Sequence, residues 1–207
     1  MTTAVEIELI HLIPTLIWAL VLFSVVLLFR ATIREQIFPR LTRFNAFGVE
    51  VEIAVKQELD RAAVEKPAGT EAERTQTARR AARLSEVLRG AHVLLVNDVP
   101  EEMLTPTSIM RSLGVEVDIV TSTVSALDSL RHRRYDVVVS DMVRESEQTA
   151  GLDLIQKMRS RNRTEPVILT VGRYEPERGV PPYAFGITNR VDELLNLLFD
   201  ALERARG

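Results

Sequence analysis

The sequence predicts an α/β fold with a five-stranded, parallel, doubly wound sheet, preceded by a transmembrane helix and a connector of strand and helix. Three observations support this prediction. From Ala91 onward, apolar strand-like runs alternate with helix-like stretches. The runs are rich in Val and Ile, as expected for strands that helices cover on both faces. Upstream, residues 9–29 carry no charged side chain, and no other stretch of the chain resembles them.

The predicted elements of the sheet follow one another in a regular order. The strand-like runs are AHVLLVN, VEVDIV, YDVVVSD, EPVILTV and YAFGIT. The helix-like stretches between them are EEMLTPTSIMRSLG, STVSALDSLRHRR and AGLDLIQKMRSRN, and RVDELLNLLFDALERAR closes the domain. We therefore expect one domain over residues 91–207. Its functional residues should lie at the carboxyl ends of the strands, as in other open α/β sheets.

A single transmembrane helix is predicted over residues 9–30. A helix of that length spans roughly 30 Å, the thickness of the hydrocarbon core of a bilayer. A cleaved signal peptide fits poorly because the leader is acidic and the apolar run is too long. A buried core helix is the remaining alternative. The run is preceded by Glu6 and Glu8 and followed by Arg30, Arg34, Arg40 and Arg43. This asymmetry predicts a short external tail over residues 1–8 and a cytoplasmic body beneath the inner membrane.

The first part of the connector, which spans residues 31–90, alternates apolar and acidic side chains. The segment GVEVEIAV places an apolar residue at every second position from Val49 to Val55. This period favours a short strand, which would pair with the same segment of another subunit. The alternative is a helix that begins near Val49 and continues to Lys66. Residues 54–66 are expected to be helical in either case.

Residues 71–89 form a second predicted helix, with a narrow apolar stripe on a polar surface. Such a stripe suits pairing with another helix, which predicts a coiled-coil-like connector and a homo-oligomer. Arginines crowd the other side, where a solvated face balanced by glutamates competes with contact to nucleic acid or anionic lipid. The stripe consists of Ala78, Ala81, Ala82, Leu84 and Leu88, and the arginines are Arg79, Arg80, Arg83 and Arg89.

Composition and missing motifs exclude several classes of protein. A formal net charge of −3 argues against a general binder of nucleic-acid duplexes, which normally carries an excess of basic residues. The chain has no cysteine, so disulfides, thiolate zinc sites and cysteine nucleophiles are ruled out. It also lacks a glycine-rich phosphate loop and a Ser-His-Asp arrangement. We therefore do not expect an enzyme.

Two aspartates follow strands of the predicted sheet. Asn97 and Asp98 stand at the end of the first strand, and Asp141 ends the third. Adjacent strand ends would bring the two carboxylates within a few ångströms, where they repel unless a cation lies between them. Oxygen ligands of this kind suit Mg²⁺. An aspartate so placed can also attack a phosphoryl donor. The alternative for Asp141 is a cap on the following helix or turn.

Five segments carry a family resemblance: VLLVNDVPEE, YDVVVSDM, the helix AGLDLIQKMR, PVILTVG and AFGITNRVDELL. In this order they make the stretch from His92 to about Arg204 resemble the receiver domain of two-component response regulators. The resemblance implies the flavodoxin-like order of such sheets. It also implies that Asp141 is the phospho-acceptor, that Asp98 is the main Mg²⁺ carboxylate, and that the Val143 carbonyl is a third ligand.

The sequence departs from the family pattern at the metal site and at the fourth strand. The acidic pair of the family appears as Asn97 and Asp98, so one carboxylate has become an amide and the affinity for Mg²⁺ should fall. Counting along PVILTVG places Val171 where the family has Thr or Ser. Thr170 then stands one residue early, with its hydroxyl on the opposite face of the strand.

Further departures lie between and after the last two strands. The lysine that the family places before a proline is replaced by Arg190, or by Asn189 if the register slips by one residue. An arginine does not copy an ammonium group, although it can bind phosphate. Asn97, Thr170, Asn189 and Arg190 are the candidate residues for binding phosphate or another ligand. The segment GRYEPERGVPPYA contains three prolines, which leave no room for the usual long helix.

Two functions remain open. The first is a membrane-anchored receiver in which a histidine kinase phosphorylates Asp141, and the new charge changes how subunits meet. The second is a receiver-like sensor whose crevice binds a nucleotide messenger, with Arg173, Tyr174, Arg178 and Arg190 around it. Binding would then gather the transmembrane helices into a cluster that disrupts or depolarises the membrane, as in antiviral defence. The second hypothesis rests on analogy at the level of the fold.

Overall fold

The computed structural model describes residues 18–24, 38–144 and 147–206. The chain divides into two compact units, Met1–Phe47 and Gly48–Gly207. In the first unit, residues 18–24 are helical and expose apolar side chains, with Trp18 at 72% and Leu22 at 69%. The predicted external tail and the rest of the predicted transmembrane helix lie outside the described residues. Among the helices that are described, none is both long enough and apolar enough to cross a membrane.

The second unit contains a sheet of five parallel strands in the order β2-β1-β3-β4-β5. This confirms the predicted five-stranded α/β sheet. The direction of winding reverses between β1 and β3, and a crevice opens at the carboxyl ends of strands at such a point. The strands are β1 (His92–Val96), β2 (Glu116–Val120), β3 (Val137–Asp141), β4 (Val167–Thr170) and β5 (Gly186–Thr188).

Helices cover both faces of the sheet because alternate residues of each strand are buried on opposite sides. The helices are α1 (Phe38–Glu65), α2 (Glu71–Arg83), α3 (Ser85–Leu88), α4 (Leu104–Ser112), α5 (Thr123–His132), α6 (Ala150–Arg159) and α7 (Val191–Arg206). In β1, Val93 and Leu95 are buried in one core with residues of α4 and α7, whereas Leu94 and Val96 are buried in the other core with residues of α5 and α6. A short 3₁₀ helix, Pro100–Met103, precedes α4.

The strand predicted at residues 49–55 is wrong, because this segment lies inside helix α1. Val55, Leu59 and Ala62 are buried in the core of the second unit, at intervals of four and three residues that only a helix brings to one face. The alternation from Val49 to Val55 covers few residues, whereas the helical period extends over the whole buried face. Val49 is left 58% exposed. The helical alternative for this segment is the one that the structure contains.

The apolar stripe of α2 packs against α7 of the same chain, so the coiled-coil partner predicted for it is wrong. Ala78 and Ala81 are fully buried in the core that α7 completes. Arg80 bonds Asp200 and Glu203 of α7, each at 2.5 Å. The stripe is narrow because it faces one helix of its own unit. The small alanine side chains allow the backbones of α2 and α7 to approach closely, and Arg80 forms ion pairs at the edge of this contact.

Candidate functional site

A crevice of about 670 Å³ lies at the carboxyl ends of β1, β3, β4 and β5. Asp141, the last residue of β3, lines it together with Asn97 and Asp98, which follow β1. Because β1 and β3 are adjacent parallel strands, their ends meet at one edge of the sheet. The structure therefore brings together the two carboxylates that the sequence singled out. Val143, in the loop after β3, lines the same crevice.

Asp141 sits in a partly desolvated position. Burial is the main cause that raises its pKa, to about 6, and the negative charges of Asp98 and Glu102 add to the effect. The backbone N–H of Met142 donates to Oδ1 of Asp141 at 3.0 Å and, with the positive charge of Arg144, acts in the opposite direction. The raised pKa thus reflects mainly the loss of water around the carboxyl group, to which the neighbouring carboxylates add. Bound Mg²⁺ or a positively charged side chain would stabilise the ionised form.

The residues present fit a divalent cation with oxygen ligands. Asp98 and Asp141 supply two carboxylates, Val143 supplies a backbone carbonyl, and such hard oxygen donors suit Mg²⁺. Within the described residues no group of three or more Asp, Glu, His or Cys side chains could hold a metal. A cation here would therefore depend on two carboxylates completed by backbone and water oxygens.

Asn97 shapes the loop that carries Asp98. It is only 3% exposed, and its Oδ1 accepts a hydrogen bond from the backbone N–H of Val99 at 2.7 Å. A side-chain oxygen that bonds the backbone two residues ahead forms a tight turn. The amide oxygen is therefore engaged in local structure. Asn97 lines the crevice and helps to hold the β1 loop in place.

Thr170 faces the site, which corrects the predicted register of the fourth strand. Thr170 is the last residue of β4 and pairs directly with Asp141. Its Oγ1 lies 3.4 Å from Oδ1 of Asp141. Residues in register on neighbouring parallel strands point to the same side, so the hydroxyl shares the face of the carboxylate. The predicted placement of the hydroxyl on the opposite face is therefore wrong. Val171 follows the strand and also lines the crevice.

Asn189 and Arg190, which follow β5, both line the crevice, but the Arg190 side chain is engaged by carboxylates. Asn189 directly follows the strand, which ends at Thr188, and lines the crevice. Arg190 also borders the crevice, but its guanidinium pairs with Asp192 at 2.5 Å and with Glu73 at 3.2 Å. The hydrogen bond that Arg190 donates to the Asp192 carboxylate is the main cause that raises the pKa of Arg190. Arg190 is thus held toward α2 and α7.

The described segment between β4 and β5 contains no long helix, as its three prolines predict. Residues 171–185 are all described, and they contain one 3₁₀ helix, Pro176–Arg178, and no α-helix. Proline removes a backbone donor and clashes with the preceding turn of an α-helix. Arg173 is exposed on this segment and Tyr174 is half-buried. Of these two, Arg173 lines the crevice.

Three charged residues at the site were not predicted. The first is Arg144, which is only 3% exposed and lies beside Asp141. Its guanidinium donates to Ser140 Oγ at 2.6 Å, to Thr123 Oγ1 and the Ala150 carbonyl at 2.9 Å each, and to the Asp141 carbonyl.

The other two line the crevice itself. Glu102 lies in the 3₁₀ helix after β1. Lys66 enters the crevice from the chain just after α1. Glu102, inside VLLVNDVPEE, had a local signal, whereas Lys66 stands far from any motif.

Comparisons with known proteins agree with this architecture. Residues 93–188 match the family model of the response regulator receiver domain. The receiver domain of the Francisella response regulator 1452 is 20% identical, covers 56% of this chain and 100% of its own, and has a TM-score of 0.50. The response regulator TrrA from Thermotoga maritima, in complex with Mg²⁺ and BeF, is 20% identical, with coverages of 54% and 98% and a TM-score of 0.47. No curated protein matches the chain.

The sheet order, the crevice with its terminal aspartates and the family match lead to one conclusion. Residues 93–188 match the response regulator receiver domain, and the second unit has the five-stranded parallel sheet of that type. Receiver domains are signalling domains that typically bind Mg²⁺. Helices α1, α2 and α3 precede this domain, and α7 follows β5 to complete the core.

Proposed function

We propose that this chain is a membrane-anchored receiver that a histidine kinase phosphorylates on Asp141, with oligomerisation as the output. The observation that carries the proposal is the position of Asp141 at the end of β3, in a crevice shared with Asp98 and Thr170. In this proposal Mg²⁺ binds at Asp98, Asp141 and the Val143 carbonyl, with lower affinity because Asn97 replaces a carboxylate. The chain relays a signal and turns over no substrate of its own.

The proposed reaction is a phosphoryl transfer to a carboxylate. An oxygen of Asp141 attacks the phosphorus of a phosphohistidine, the P–N bond breaks, and its electron pair leaves with the imidazole, which takes up a proton. The product is an acyl phosphate on Asp141, which adds nearly two negative charges to the crevice. Bound Mg²⁺ would neutralise charge on the transferring group. The Thr170 hydroxyl lies where it would donate to a phosphoryl oxygen.

Phosphorylation is tested on the full chain in detergent with acetyl phosphate and Mg²⁺. Intact-mass and peptide mass spectrometry should find one phosphoryl group on Asp141. The adduct should be absent from Asp141→Asn and present in the control Asp128→Asn, because Asp128 lies on the exposed surface of α5 with its side chain 62% exposed. An unmodified Asp141 in the wild-type chain would overturn the proposal.

Membrane anchoring is supported by the uncharged run before Arg30 and by the exposed apolar side chains of the helical residues 18–24. An arginine at the centre of a spanning helix costs about 3 kcal/mol on insertion scales. The pair Leu20→Arg and Leu22→Arg should therefore move the chain from the membrane fraction to the supernatant. Val124→Arg is the control, since Val124 is 78% exposed on α5. Sedimentation of the double variant with membranes would contradict anchoring.

Homo-oligomerisation is supported by two exposed apolar side chains one turn apart on α1. Val49 and Ile53 are 58% and 53% exposed, and their spacing of four residues places them on the same face of the helix. Exposed apolar surface of this kind can mark a site of contact with another helix. Ile53→Glu should lower the mass of the detergent-solubilised particle in light scattering, whereas Val124→Glu should leave it unchanged. An equal mass for wild type and Ile53→Glu would contradict the role of this face.

The volume of the crevice favours a second candidate function. About 670 Å³ is more than one phosphoryl group fills and lies within the range of small-molecule sites. In this alternative a nucleotide messenger binds there, and the chain gathers its membrane helices and depolarises the membrane in antiviral defence. Calorimetric titration of the full chain with cyclic dinucleotides, and membrane-potential dyes in cells that overexpress it, test this function. If the chain binds no cyclic dinucleotide and its overexpression leaves the membrane potential unchanged, this function is excluded.

A further inference from the structure

The crevice contains a basic side chain from outside the matched receiver segment. Lys66 follows the last residue of α1, and it lines the crevice together with Asp98 and Asp141. Its Nζ donates a hydrogen bond to the backbone carbonyl of Glu102, at the rim of the same crevice. Residue 66 lies far upstream of residue 93, where the family match begins. The turn that follows α1 thus contributes a residue to the crevice.

The other basic residues of the crevice are less suited to a group on Asp141. Among the residues that the structure describes, three basic side chains line it: Lys66, Arg173 and Arg190. Arg190 is held by Asp192, whose side chain is only 1% exposed, and by Glu73. Arg173 is exposed on the loop after β4. The residue directly after β5 is Asn189, which carries no charge.

The backbone shortly after Lys66 is hydrogen-bonded to the first turn of α7. The N–H of Gly69 donates to Oδ1 of Asp192 at 3.0 Å, and Arg74 of α2 donates to the Gly69 carbonyl at 2.5 Å. A Cβ at Gly69 would overlap the Arg190 guanidinium and the Asp192 carboxylate. The turn after α1 is therefore packed closely against the start of α7, which follows β5. This packing keeps Lys66 at the crevice.

The ammonium group has the chemistry that the crevice lacks. It has three N–H donors, of which the Glu102 carbonyl takes one. That acceptor is uncharged, and the crevice already holds the negative charges of Asp98, Glu102 and Asp141. A phosphoryl group would add nearly two more. The flexible four-carbon stem of lysine allows the ammonium to move to a new acceptor without a change in the backbone.

We infer that Lys66 binds the phosphoryl group on Asp141, in the role that a neutral Asn189 cannot fill at the end of β5. The inference rests on the proposed phosphorylation of Asp141. The ammonium group would turn from the Glu102 carbonyl toward the phosphoryl oxygens or contact both. A phosphoryl group on Asp141 would thereby be bound by the turn that follows α1.

The test uses the full chain in detergent with two probes: acetyl phosphate, followed by mass spectrometry of Asp141, and beryllofluoride, followed by ¹⁹F NMR. Lys66→Gln should slow phosphorylation and weaken beryllofluoride binding about tenfold or more, the scale of one charge-assisted hydrogen bond. The control Lys157→Gln removes an exposed pair with Asp153 on α6 and should match wild type. Asn189→Lys in the Lys66→Gln background should restore both signals.

The outcomes separate this inference from the proposed function. If the wild type accepts phosphate and beryllofluoride, and Lys66→Gln does so equally well, Lys66 has no such role and the proposed function stands. If the wild type accepts neither probe, the proposed function fails and the inference fails with it. A purely structural role of Lys66 would lower the thermal midpoint of Lys66→Gln, and Asn189→Lys would not rescue binding; that result also overturns the inference.

Discussion

The hydroxyl of Thr170 lies 3.4 Å from Oδ1 of Asp141, and the two residues are register partners on the adjacent strands β4 and β3. This pairing places a neutral hydrogen-bond donor beside the proposed nucleophile. Thr170→Val keeps the shape of the side chain and removes the donor. We expect phosphorylation by acetyl phosphate to fall about tenfold, the value of one hydrogen bond to a charged group. Mass spectrometry of Asp141 over time measures this.

Thr170→Ser is the matched control for this prediction, because it keeps the hydroxyl and removes only a methyl group. It should remain within about twofold of wild type. Equal rates for Thr170→Val and wild type would show that the hydroxyl contributes nothing to the transfer. The valine variant should still unfold near the wild-type temperature, since the residue is only half-buried at the end of its strand.

The raised pKa of Asp141 predicts how stability depends on pH. The pKa is about 6 in the folded chain against 3.8 for an ordinary aspartate, with burial as the main cause. The folded state therefore binds the proton more tightly, and stability falls as the pH rises through this window. Asp141→Asn removes the loss. Its free energy of unfolding should exceed that of wild type by about 1–3 kcal/mol near pH 7.5.

Denaturant unfolding of both chains at about pH 4 and 7.5 measures this difference. Near pH 4 the Asp141 carboxyl of the folded wild-type chain is protonated and most of the penalty is absent, so the two chains should be nearly equal. Asp128→Asn, on the exposed surface of α5, should show no such change with pH. A wild-type chain as stable as Asp141→Asn near pH 7.5 would contradict the desolvated position of Asp141.

Arg144 is expected to support both the fold and the charge state of the site. It is almost fully buried, and its described hydrogen bonds go to neutral oxygens, including those of Ser140 and Thr123. Arg144→Met keeps most of the volume and leaves these acceptors without their donor. We expect the free energy of unfolding to fall by about 2–4 kcal/mol. The pKa of Asp141 should rise further, because the Arg144 charge lowers it.

Denaturant unfolding and the pH profile of phosphorylation measure the two effects of Arg144→Met. Arg161→Met is the control, since Arg161 makes an exposed hydrogen bond to the Lys157 carbonyl. It should change stability by no more than about 0.5 kcal/mol. Unchanged stability of Arg144→Met would mean that the buried guanidinium contributes no net stabilisation.

Gly151 is expected to be needed for the close approach of α6 to the end of β3. A Cβ at this position would lie 2.9 Å from the Asp141 carbonyl and 2.8 Å from Leu169 Cδ2. Gly151→Ala should therefore displace the end of β3 and cost about 1–3 kcal/mol of stability. Gly172→Ala is the control, because nothing lies within 4 Å of its Cβ. Thermal unfolding of both variants measures the difference, and equal midpoints would contradict the close packing.

Much of the fold could be predicted because its signals are local. Runs such as YDVVVSD need two covered faces, and the alternation with helices leaves a parallel sheet as the solution. Asp98 and Asp141 could be placed together for the same reason, since parallel strand ends meet at one edge. The prolines of residues 172–184 excluded a helix without any tertiary information. The strands, the helices and the proline effect each depended on residues within a few positions of one another, and the pairing of Asp98 with Asp141 followed from the sheet that they predict.

The errors arose where burial by distant residues decided the outcome. The alternation from Val49 to Val55 fits a strand locally. Val55 and Leu59 are nevertheless buried in a core cluster that includes residues of α7 and the sheet, and their spacing of four residues fits a helix. The stripe of α2 indicated a partner helix without saying that α7 would be that partner. The face on which the Thr170 hydroxyl lies was predicted wrongly, because it depends on how β4 pairs with β3.

By itself the sequence determined the α/β class, the order of its elements and the two acidic strand ends, because periodicity and strand composition are properties of neighbouring residues. The tertiary structure alone decided that Thr170 faces Asp141, that Asp192 and Glu73 hold Arg190, and that Lys66 enters the crevice. Apart from the pair of Arg190 and Asp192, each of those relations joins side chains that are far apart in the chain. Only packing of the helices on the sheet brings such groups within bonding distance.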